Sequence, residues 1–129
     1  MAGIEEQEHH QFKIFSGTLG PGNSLGPVAA EVSRFVAEKK VAAKSIGVEY
    51  LEEAKRLIIT LGYREGGTHY PIELKAISLG KVENLAQRND FSALEQAIGE
   101  ASRKVEKIIC HELYITEAHE ILLVFMTHQ

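Results

Sequence analysis

The chain has no tryptophan, one cysteine (Cys110) and three prolines in 129 residues. A lone thiol excludes an internal disulfide and a cysteine-rich zinc site. No apolar run reaches membrane-spanning or signal length, so no membrane partner is expected and a cytoplasmic location follows. Basic residues number 14 against 18 acidic ones, for a formal charge of −4, and they are scattered singly or in pairs. Nothing resembles a phosphate-tracking stripe, so nucleic acid is not an expected partner. No metal site is expected, because the histidines lack helical spacing, and His9-His10, as strand neighbours, would point to opposite faces. No motif names a cofactor.

At 44% hydrophobic and 25% charged, the composition is that of one globular domain, able to bury about two-thirds of its unfolded surface. Residues 1–9 are polar and acidic without periodicity, as in a frayed tail. Residues 10–129 then form a single α+β domain that reads as one unit written twice. Residues 50–61 start at Tyr50, carry Glu53-Ala54 at the centre and end in the apolar run from Leu57 to Leu61. Residues 114–125 repeat this with Tyr114, Glu117-Ala118 and the run from Ile121 to Phe125. Upstream, the stretch from Phe12 to Gly20 is echoed by that from Ile72 to Gly80, and an amphipathic segment follows each.

Each unit is therefore expected to be β-α-β-β, the first over about 10–63 and the second over about 71–128, joined by a linker at 64–70. Leu25, Val28, Val32, Phe35 and Val36 make the buried stripe of the first helix. Phe91, Leu94, Ile98, Ala101 and Val105 make that of the second, with a capping box from Ser92 to Glu95. Gly99, inside that helix, implies a close approach to the sheet. Residues 46–61 also fit a helical stripe, but Gly47 and the β-branched run Ile58-Ile59-Thr60 favour a hairpin turning at residues 52–55. The economical architecture is one six-stranded antiparallel sheet, curled or barrel-like, with two helices packed on it. In connectivity the arrangement resembles the duplicated β-α-β-β layout of bacterial effector-binding domains. Neither helix carries a histidine, which fits the heme-binding relatives of that layout less well.

Three places carry chemistry. The strand-to-helix loop from Gly17 to Pro27 holds four glycines and two prolines. Backbone amides at Gly20, Gly22, Asn23 and Ser24 could cradle an anion there, or the loop could simply cap the helix. The linker carries Arg64, His69 and Tyr70 and could close over a ligand, or serve only as a hairpin loop. The third place is Cys110-His111-Glu112, in the strand of the second unit where the first has aliphatic residues. Aligning Tyr50 with Tyr114 points Cys110 and Glu112 inward; aligning Glu49 with Glu112 points His111 inward, among Ile109, Leu113 and Ile115. One residue of slip exchanges the faces. The second register is preferred here, which makes His111 a buried histidine, either a satisfied core residue or a general acid or base assisted by Glu112. These features point first to a homo-oligomeric module that holds a small polar or anionic molecule between its halves. The alternatives are a small enzyme using His111 and a structural or protein-interaction module.

Overall fold

A computed structural model describes residues 10–18, 25–66 and 70–129. The described residues form six strands and three helices, in the order β1 (Gln11–Gly17), α1 (Gly26–Lys39), β2 (Ala42–Leu51), β3 (Arg56–Arg64), β4 (Ile72–Lys81), α2 (Val82–Leu85), α3 (Ser92–Arg103), β5 (Ile108–Ile115) and β6 (Glu120–His128). They form two antiparallel three-stranded sheets, ordered β1-β3-β2 (sheet A) and β4-β6-β5 (sheet B). The expected single six-stranded sheet, closed or curled into a barrel, is thereby corrected. The edge strands β2 and β5 lie side by side, but each is bulged, at Lys44 and at Ile109. A bulge leaves its residue out of the ladder and twists the strand away, which works against a continuous sheet.

The fold is a wedge with α1 inside it. Val28, Val32 and Val36, spaced by four residues, are essentially inaccessible, and Leu25 continues the stripe. They pack on Phe15, Leu57, Ile59 and Leu61 of sheet A and on Leu74, Val124 and Met126 of sheet B, in one apolar cluster. The approach is close. A Cβ on Gly17 would lie 2.5 Å from Val28 Cγ2, so glycine is required where β1 leaves the sheet beneath the helix. The helix ends at Lys40, whose left-handed backbone (φ 54°) returns its N–H to the carbonyl of Val36 at 3.0 Å.

Sheet B carries a helix on each face. Leu122, Val124 and Met126 face α1, while Leu123 and Phe125 face a second cluster with Ile98, Ala101 and Val105 from the α3 side. This is why β6 is apolar at nearly every position and buried from Ile121 through Thr127. Two helical details differ from expectation. At α3 no side chain caps from within the Ser92–Glu95 box; Asp90 accepts from both the backbone N–H and the hydroxyl of Ser92 instead. Its carboxyl is held below the ordinary aspartate range, chiefly by that hydroxyl. Gly99 marks no close approach, since a Cβ there would meet only the end of the Arg103 side chain at 3.7 Å. The short helix α2 follows directly on β4.

Candidate functional site

The β2–β5 seam orients the polar chemistry of the molecule. Both hairpins pair tyrosine with leucine across their strands, Tyr50 with Leu57 and Tyr114 with Leu122. Ile46, Val48 and Tyr114 are buried on the inner side, Glu112 is half-buried, and His111 is exposed. This is the orientation expected from aligning Tyr50 with Tyr114, and the preference for a buried His111 is overturned. Leu113 and Ile115, the aliphatic neighbours of His111, are 42% and 55% exposed, because α3 lies over the β4 and β6 side of sheet B and leaves that part of β5 uncovered. His111 and Glu112 point to opposite faces of one strand and do not converge.

Cys110 enters the seam. Burial pushes its thiol above the ordinary range; a hydrogen bond from the Ile46 amide opposes this, and the Glu112 carboxylate adds to it. A thiol held protonated in this way is a filler and not a nucleophile at neutral pH.

At one end of the seam the two sheets part around a cavity of about 460 Å³. Its walls come from five strand ends and bring together Lys44, Arg64, Tyr70 and His128 over a floor that includes Ala43, Ile72 and Ile109. Each polar group has a local cause. Lys44 is the bulged residue of β2, unpaired between Ala43↔Tyr63 and Ser45↔Gly62, and a bulge re-aims its side chain. Ile109 lies at the matching bulge of β5, between Ile108↔Thr127 and Cys110↔Met126. Arg64 ends β3 opposite Ala42. His128 ends β6 opposite Ile72, and its backbone N–H donates to the Lys107 carbonyl at 3.0 Å. The Tyr70 ring meets the His128 ring edge to face, with centroids 5.0 Å apart.

No carboxylate lines this cavity among the described residues. Its local charge is positive in a chain of net charge −4. Of the residues singled out in the sequence, Arg64 and Tyr70 are brought together here; Gly20, Gly22, Asn23, Ser24 and His69 lie outside the described residues. Lys44 and His128 carry no signal of their own in the sequence. The register Ile72↔His128, had it been assumed from the two apolar strands, would have put His128 beside Tyr70.

The opposite end of the seam is acidic. Glu52, Glu117 and His119 surround an open depression with Tyr50. Nearby, the hydroxyl of Tyr114, a residue only 4% exposed, has no hydrogen-bond partner among the described residues. Burial raises its ionisation range, and Tyr50 and Glu117 raise it further. Among the described residues no three histidine, cysteine, aspartate or glutamate side chains form a group able to hold a metal, and no helix is long and apolar enough to cross a membrane. Compared with protein families, characterised proteins and solved structures, the chain matches none of them.

Proposed function

We propose that the protein binds a small anionic molecule in the cleft between its two sheets, held by Lys44, Arg64, His128 and Tyr70. The observation that carries this is the convergence of basic side chains from both halves on a cavity with a partly apolar floor. At about 460 Å³ it falls within the ~300–1,000 Å³ typical of small-molecule sites. Arginine offers a planar fork to a carboxylate or phosphate and lysine a mobile point charge, so the two recognise complementary parts of one anion. The apolar floor favours a ligand with a hydrocarbon or ring portion beside its charge. The same strand order in both sheets, the paired bulges and the paired tyrosines also support two halves derived from one duplicated unit, with the ligand taken where the copies meet.

Isothermal titration with inorganic phosphate, citrate and an aromatic carboxylate, at low and at high salt, tests this. Binding is expected to weaken with salt, as for any partly exposed ion pair. Lys44→Ala should lower affinity about tenfold, the equivalent of ~1.4 kcal/mol for one charge-assisted hydrogen bond. Lys104→Ala, beyond the cavity, should leave it unchanged. Absence of binding by all three probes at low salt, or equal binding by the Lys44 variant, would refute the assignment.

A further inference from the structure

Among the described residues, sheet B carries a helix on each face, apart from the β5 margin that α3 leaves uncovered, whereas sheet A carries a helix on one face only. Its other face carries Phe12 and Ile14, which are 65% and 64% exposed. The ladder registers order this face in rows. Phe12, Gly62 and Ser45 make the first row; Ile14, Thr60 and Gly47 the second; Ser16, Ile58 and Glu49 the third. The β1 column is thus bulky and apolar in the two rows where the β2 column is small. Such a face fits itself. Rotation by 180° about an axis parallel to the strands and above β3 keeps each row in place and exchanges the outer columns. Phe12 of one copy then meets Ser45 of the other, and Ile14 meets Gly47.

Charge agrees with shape in the third row. Arg56 Nη2 donates to Ser16 Oγ at 3.3 Å, which carries the guanidinium off the axis into the β1 column. The same rotation sets that column over Glu49 of the other copy. Glu49 has no partner within its own chain among the described residues, and the symmetry makes the pair twice.

We propose that this face seats a second copy of the chain, sheet on sheet, with Phe12 and Ile14 of each copy entering the Ser45–Gly47 trough of the other. Three strands ~4.8 Å apart offer roughly 350 Å² of footprint, on the order of 600–700 Å² of accessible surface per copy, against ~800 Å² for a stable interface. The dimer is therefore weak and reversible, and isologous as a closed twofold contact must be.

Sedimentation velocity on the full chain from about 1 µM to about 1 mM is the test, since that range spans weak association. The expected result is a monomer–dimer equilibrium within the range. Gly47→Gln fills the trough yet is tolerated within the monomer, where a Cβ would meet only Thr60 Cβ at 3.9 Å, and it should shift the midpoint at least tenfold. Glu49→Arg should weaken the dimer, and Glu49→Arg combined with Arg56→Glu should restore it, a rescue that a merely structural role does not produce. A wild-type monomer throughout the range overturns the proposal and leaves the face to a different protein. So does a dimer indifferent to both Gly47→Gln and Ile14→Ser, which would place the contact elsewhere.

Discussion

Replacing Tyr114 with phenylalanine should stabilise the protein. The ring is buried against the inner cluster, and its hydroxyl has no partner among the described residues. Leaving such a group unpaired costs about 1–3 kcal/mol, offset by the few dispersion contacts that its oxygen makes. A net gain of about 1 kcal/mol is expected, which for a chain of this size raises Tm by about 3–5 °C. The pH dependence provides a second check. Tyr114 ionises above its ordinary value in the folded state because of burial first, then Tyr50 and Glu117. A raised folded value means that the wild type keeps this contribution below the unfolded phenol value near ~10 and loses it as pH climbs beyond, at up to ~1.4 kcal/mol per pH unit. Phenylalanine has no such loss, so its advantage should widen above pH ~10. Urea unfolding at neutral pH and at alkaline pH, with the slope m checked for constancy, measures both effects. A destabilisation of about 1 kcal/mol or more would show that the hydroxyl has a partner, such as an ordered water, and would refute the reasoning.

Two glycine replacements should move stability in opposite directions. Gly17→Ala drives a methyl into Val28 beneath α1 and should destabilise by about 1–3 kcal/mol, as overpacking does; thermal melts read it directly. Gly99→Ala meets open space within α3 apart from a flexible Arg103 side chain and should stabilise by about 0.5–1 kcal/mol. A loss of stability at position 99 would mean that the helix approaches a surface more closely than its side chains indicate.

The elements were legible where periodicity and turn chemistry agreed. The hairpin at residues 52–55 was separable from a helix by Gly47 and the β-branched run after it, and β2 and β3 pair from Leu51↔Arg56 inward. The buried stripe of α1 followed from three- and four-residue spacing. What failed was parity. The aliphatic set around His111 has the appearance of a core face, but a face is buried only if something covers it, and the lateral reach of α3 across sheet B is a tertiary fact. The closed sheet failed for a related reason, because bulges at Lys44 and Ile109 are invisible in composition and still decide whether two edges can join. The cleft was half legible: Arg64 and Tyr70 lay in the conspicuous linker, whereas Lys44 owes its position to a bulge and His128 to a cross-strand register.

The same seam explains why binding would be confined to one of its ends. Along the middle, Ile46, Val48, Cys110 and Tyr114 close β2 against β5 with mostly apolar contacts, and the half-buried thiol is kept neutral. An anion is therefore not solvated there. At the hairpin end, Glu52 and Glu117 repel it. Only where the bulges turn the strands apart do Lys44 and Arg64 of sheet A meet His128 of sheet B over an opening, so the irregularities that interrupt the sheet also create the sole electrostatically favourable entrance along the seam among the described residues. Straightening either bulge by deleting Lys44 or Ile109 should accordingly remove anion binding even where the remaining basic side chains are retained.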